Sequence, residues 1–203
     1  MKQTAFFFIL LMGLTSCNQF IAEKLFGLEV LEVYDETRIT TFYEDFNFEG
    51  LSFDKKEVET DYLEILGAEE TLDSLEKKNL YQAIQFFVLD QEKILFARYA
   101  CQARPKGKTL LWNLDGCMDK FPSSCTTEEQ EDQYQFIQEH FMNAIPSKKY
   151  HLVYVWSNML SNQSKQTLNL LLDKIDEAGL RADTHLSLVN MDKMFVELYQ
   201  ASK

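Results

Sequence analysis

Proline and glycine are scarce in this chain, three and seven residues in 203. That leaves no Pro/Gly-rich linker, no low-complexity tract and little room for a hinge. There is no internal repeat. No G-x-S-x-G, H-E-x-x-H or P-loop motif occurs, so no catalytic constellation is announced and no cofactor is implied. Cysteine is limited to four residues. None forms a C-x₂-C pair, and the intervals Cys101–Cys117 and Cys117–Cys125 are 16 and 8 residues, which excludes a conventional zinc site. Beyond residue 17 there is no long apolar run, so no further segment is fit to span a bilayer. Positive charge is also short: 20 Lys and Arg against 32 Asp and Glu give a formal net charge of −12. A surface this acidic repels nucleic acid and anionic headgroups.

What is present points to a folded domain at the end of an export signal. Hydrophobic residues make up 46% and aromatics 13% of the chain, enough for a proper core. Lys2 is the only charge before Glu23, and AFFFILLMGL follows at residues 5–14. This run is roughly half the ~20 residues that a spanning helix needs, as in the h-region of a signal peptide. It closes on Leu14-Thr15-Ser16-Cys17. That tetrapeptide resembles the lipobox of bacterial lipoproteins: an aliphatic residue, two small residues, then the lipidated cysteine. The resemblance implies cleavage before Cys17, a diacylglycerol (with a palmitate-type acyl chain) on its thiol, and anchoring in the cell envelope. One acyl chain holds a protein marginally, and two or more hold it stably. Asn18 follows, where the family's sorting rule favours the outer membrane.

The expected organisation is therefore a signal peptide at 1–16, a lipid anchor with an N-terminal helix or tether at 17–34, and one globular α+β domain at 35–203. Within 18–30, Phe20, Ile21, Leu25, Phe26 and Leu28 have helical spacing. Both a membrane-surface helix and a helix packed on the domain fit it. TTFYEDFNFEGLSF, 40–53, reads as an edge strand or hairpin arm with Phe42, Phe46, Phe48 and Phe53 in the core. Lys55–Leu66 reads as a helix stopped by Gly67, with a second short helix at 71–78.

LYQAIQFFVLD and KILFARYAC flank a turn at Gln91-Glu92. Together with KTLLWNLD they predict a three-stranded antiparallel sheet over about 80–115. A helix opens near Thr126, which has capping-box spacing to Glu129, and closes at Pro146. Its apolar face is Tyr134, Ile137, Phe141 and Ile145, and its lone His140 reads as a surface or packing residue. YHLVYVWS, a helix at 161–178 capped by Gly179, and HLSLVNM then make a βαβ unit over about 150–190, followed by a last helix at 193–201. VYVWSNMLSNQSKQTLNLL resembles the βα unit of a thioredoxin-like domain. The redox pair of that family falls on Leu160 and Gln163, so the resemblance implies a fold without thiol chemistry.

Two further groups stand out. Cys117 and Cys125 bracket GCMDKFPSSC and are the first choice for a disulfide in an oxidising compartment. Cys101, ending an apolar run, reads as a buried free thiol. Arg98, Arg104, Lys106, Lys108 and Trp112 form a basic, aromatic cluster on an acidic protein. It reads either as a ligand patch for a carboxylate or phosphate or as a solvated loop. The favoured function is a non-catalytic, lipid-anchored envelope protein that binds a protein partner or supports an assembly. The alternatives are a periplasmic small-ligand binder using the basic cluster and a thiol-handling protein using Cys101.

Overall fold

The computed structural model describes residues 27–106, 109–113, 115–123, 125, 131–143 and 147–203. Cys17, the signal region and most of the expected N-terminal helix lie outside the described residues, as do Lys108, Thr126, Glu129, Ile145 and Pro146. The fold is α+β. Among the described residues six helices flank an open five-stranded sheet, and a two-stranded hairpin forms a separate small sheet.

The chain builds α1 (Glu36–Glu44), β1 (Ser52–Glu57), α2 (Tyr62–Ala68) and α3 (Ser74–Leu80), then the hairpin strands β2 (Gln85–Leu89) and β3 (Ile94–Tyr99). The small hairpin follows as β4 (Arg104–Lys106) and β5 (Thr109–Leu111), and α4 is Glu131–Phe141. The last third supplies β6 (Tyr150–Trp156), α5 (Ser161–Glu177), β7 (Thr184–Asn190) and α6 (Asp192–Ala201).

The sheet order is β1-β7-β6-β2-β3. β1, β7 and β6 run parallel, while β2 is antiparallel to both β6 and β3. Alternation along the strands divides the core. Phe86, Val88, Leu152, Tyr154, Trp156, Leu186 and Leu188 face α1 and α5. Phe87, Leu89, Val153, Val155 and Val189 face the side covered by α2, α3, α4 and α6. Strands covered on both faces read as unbroken apolar runs, which is why QFFVL and LVYVW show no polar alternation.

Local chemistry fixes the joints. Asp35 caps α1 by accepting from the amides of Thr37 and Arg38, and Asp73 and Glu76 form a capping box on α3. Asp90 Oδ1 accepts from the amides of Glu92 and Lys93, which tightens the expected hairpin turn. α5 ends in a Schellman motif. Gly179 has φ +68°, its amide donates to Asp176 O, and the Leu180 amide donates to Ile175 O.

Three expectations are corrected. Residues 36–44 are helical, and Phe42 is buried by that helix, not by a strand. Lys55–Leu66 is not one helix, because Ser52–Glu57 pairs along β7 and the helix begins only at Tyr62. Tertiary pairing overrides local propensity here. KTLLWNLD does not extend the main sheet. Thr109–Leu111 pairs only with Arg104–Lys106, and the second neighbour of β2 is β6. A strand apolar on both faces needs a central place, and β6 shares that requirement.

Trp156, at the end of β6, is fully buried. Phe42 lies flat on it, with ring centroids 3.5 Å apart, and Tyr43 meets its edge at 5.6 Å. Phe46, Phe48 and Phe53 continue this aromatic row outward to the sheet edge. Phe42→Ala is expected to destabilise the domain by about 3–5 kcal/mol, and Phe53→Ala, whose ring is partly exposed, by under about 1 kcal/mol. Urea unfolding of the two variants checks the order, and a larger cost at Phe53 would contradict this account of the core.

Candidate functional site

Two members of the basic cluster, Arg98 and Trp112, are engaged elsewhere. Arg98 on β3 donates to Asp115 and lies over the Phe96 ring at 4.3 Å, so its charge is engaged. Trp112 is 5% exposed and belongs to the core. Its Nε1 donates to Thr167 Oγ1 on α5 at 2.8 Å, and its ring meets Phe86. Arg104 and Lys106 sit on β4, where Lys106 is exposed; the side chain of Arg104 and all of Lys108 lie outside the described residues. Arg98 and Trp112 are thus withdrawn from a ligand patch that the sequence had grouped by proximity along the chain.

Cys117 and Cys125 are disulfide-bonded, with Cα atoms 5.1 Å apart. Cys101 is not buried. It is an exposed free thiol on a short 3₁₀ turn, and its Sγ lies 3.8 Å from Asn79 Oδ1. The apolar run of β3 ends at Tyr99, one residue before that turn.

Two polar clusters that the sequence reading missed lie at opposite ends of the parallel strands. The first is at their carboxyl ends, built where β6 and β7 stop. Asp192 opens α6 and is 3% exposed. Its Oδ1 accepts from Ser157 Oγ at 2.7 Å and from the Asn158 amide at 2.8 Å, and its Oδ2 accepts from Asn158 Nδ2 at 2.7 Å. These donors are all neutral. The start of α6 adds the favourable end of the helix dipole. Asn190 Oδ1 accepts from the Asp192 amide, while its buried Nδ2 has no partner. Ser164 Oγ donates to Ser157 O, and Tyr154 donates to Ser164 O, so α5 is pinned to the same corner. In open sheets with parallel strands this edge is where ligand crevices form.

Leu160, in the adjoining 3₁₀ turn, and Gln163, in the first turn of α5, are the positions of a thioredoxin-like redox pair. Leu160 precedes the first residue of α5, and Gln163 is buried with its carbonyl accepting from Thr167.

The second cluster lies at the amino ends, on the face toward α4. Register brings Ser52 opposite His185, Asp54 opposite Ser187, and His151 opposite His185. Ser187 Oγ donates to Asp54 Oδ1 at 2.6 Å, so it can only accept from His151 Nε2, which is 2.8 Å away. His151 therefore carries its proton on Nε2, and its buried Nδ1 has no partner. His185 Nδ1 meets Ser52 Oγ at 2.8 Å, and its Nε2 lies 3.5 Å from Asp54 Oδ1. Asn143, just past α4, donates to Asp54 Oδ2.

Burial, reinforced by the neighbouring His185, pushes the His151 imidazole down to about 4. Burial alone would raise Asp54, but hydrogen bonds from His185, Ser187 and Asn143 win and hold it below the usual carboxylate range. The arrangement keeps a neutral histidine beside a carboxylate inside the sheet, and its chemistry is proton linkage. Among the described residues no group of three or more His, Cys, Asp or Glu is placed to hold a metal ion.

The only signals in the sequence were polar residues in apolar strand positions, His151 and Ser187, and an S-x-D pair on β1. None of these residues is near its partners along the chain.

Linkage follows from His151. Between about pH 4 and 6.5 the unfolded chain binds a proton that the folded chain refuses. Stability is thus full above pH 6.5 and falls by about 3 kcal/mol as pH drops to 4. The contribution of Asp54 is lost only at lower pH. Urea unfolding across this range should show that slope, and His151→Gln should flatten it; an unchanged slope would remove His151 as its source. Separately, a non-reducing digest should contain a Cys117–Cys125 linked peptide, while maleimide labels Cys101 without denaturant. Labelling of Cys117 or Cys125 in the folded, unreduced protein would contradict the pairing.

No protein-family model matches the chain, and neither does any curated protein or solved structure, so the functional reading rests on the residues themselves.

Proposed function

We propose that this is a lipid-anchored protein of the bacterial cell envelope that works by binding a partner, not by chemistry on a substrate. The observation that carries the reading is Leu14-Thr15-Ser16-Cys17 at the end of AFFFILLMGL. No described helix is long and apolar enough to cross a membrane, so in this reading the membrane is held through Cys17 alone. The Cys117–Cys125 disulfide suits an oxidising compartment outside the cytoplasm. The net charge of −12 keeps the domain off nucleic acid and anionic headgroups, which leaves a protein as the natural partner. Asn18 after the lipidated cysteine favours the outer membrane. The small-ligand alternative loses support with Arg98 and Trp112 engaged elsewhere.

Intact mass of membrane-extracted protein, beside a Cys17→Ala variant, tests the anchor. The expected result is a chain that starts at Cys17 and carries a lipid adduct, with the variant moving to the soluble fraction. An unmodified Cys17 in a membrane-free protein would overturn the reading. Crosslinking at the membrane then seeks the partner.

A further inference from the structure

We propose that residues 27–34 are a releasable strap over the carboxyl edge of the parallel strands, and that its detachment uncovers the Asp192 cluster while the sheet stays folded. The segment has neither helix nor strand. It nevertheless follows a defined course. The Glu29 amide donates to Met159 O at 2.8 Å, just beyond β6. Glu32 accepts from Tyr199 Oη at 2.8 Å and, through its carbonyl, from Gln200 Nε2, both on α6, the helix that follows β7. Tyr34 Oη donates to Glu57 at the end of β1. The strap is therefore fixed just beyond β6, at the last turn of α6 and at the end of β1, around the edge where open α/β sheets keep their crevices.

What lies at this edge is polar and incompletely satisfied. The Asp192 carboxylate is held only by neutral donors, and Asn190 Nδ2 is buried without a partner. Glu29 to Glu36, with Arg38, also line a recess of about 410 Å³.

The fastenings are peripheral. Arg38 on α1 grips the Glu29 carboxylate with both guanidinium nitrogens, at 2.7 and 2.8 Å, on an exposed surface. Leu31 is the one strap side chain that is buried, and Val33 is 74% exposed. A segment with few buried apolar contacts and solvent-exposed hydrogen bonds belongs to the part of a protein that opens locally, below global unfolding.

Release has a second consequence, which rests on the lipid reading given above. Nine residues lie between Cys17 and Gly27 in the sequence. Freeing residues 27–34 would add at most about 27 Å of extended chain between the anchor and Asp35.

Hydrogen exchange on the full chain tests the strap, and it is run on Cys17→Ala as well, so that a failure of lipidation has no bearing on it. Peptides over 28–34 should exchange at least about tenfold faster than those of β6 and β7 in the wild type. Arg38→Ala, a surface change, should quicken exchange at 28–34, 157–160 and 190–192 several-fold and leave β2 and β3 and the thermal midpoint unchanged. Tyr199→Phe, which removes a different fastening, should act in the same direction. Strap exchange as slow as that of β6 and β7 would overturn the proposal. So would a uniform rise across the sheet in Arg38→Ala, or a free strap with 157–160 and 190–192 still protected.

Discussion

The fold depends on one constraint: β6 and β2 are apolar on both faces. Neither strand has a side to turn toward water, so each must sit inside the sheet with helices above and below. α1 and α5 cover one face, and α2, α3, α4 and α6 cover the other. The flat stack of Phe42 on Trp156 closes the first of these layers at the carboxyl end of β6. The edge strand β1 escapes the constraint, and its sequence SFDKKE carries the charge that an exposed edge tolerates.

The same geometry places the polar groups. A strand buried on both faces has only its ends for polar side chains, and both ends are used. At the carboxyl ends a carboxylate is held by neutral donors next to a helix start. At the amino ends two histidines, two serines and one aspartate share a short hydrogen-bonded chain. The first end is covered by a strap of irregular chain, and the second is closed by Asn143 and the start of β1. The domain is thus asymmetric along its strands, with a fastened side and a proton-linked side.

The last third of the chain was the most legible. LVYVW and the Leu pattern of α5 announced their elements, and Gly179 marked the end of that helix. The hairpin was legible because Asp90 and its neighbours make a turn by local chemistry. β1 was hidden, since SFDKKE has no apolar pattern and its partner β7 lies more than a hundred residues on. The Phe-rich stretch around Phe42 looked like a strand because its aromatics recur closely, yet the Asp35 cap starts a helix there. The basic cluster shows how little nearness along the chain says about two of its members. Arg98 and Trp112 are close in sequence, but one faces Asp115 and the other turns into the core. His151, Asp54, His185 and Ser187 lie on three strands and meet only through register, which no local pattern encodes.

The pairing of β1 with β7 matters beyond the finished structure. Ser52 sits beside His185, so the strand made first in the sheet waits for the one made last. β2 and β3 can zip together as soon as both are available, but β2 also needs β6, and β1 has nothing to hold until Thr184–Asn190 arrives. A chain emerging amino end first therefore keeps the parallel half of its sheet open until its final strand is free. For all that time it exposes two strands that are apolar or unpaired, and a chain cut short before Thr184 never closes.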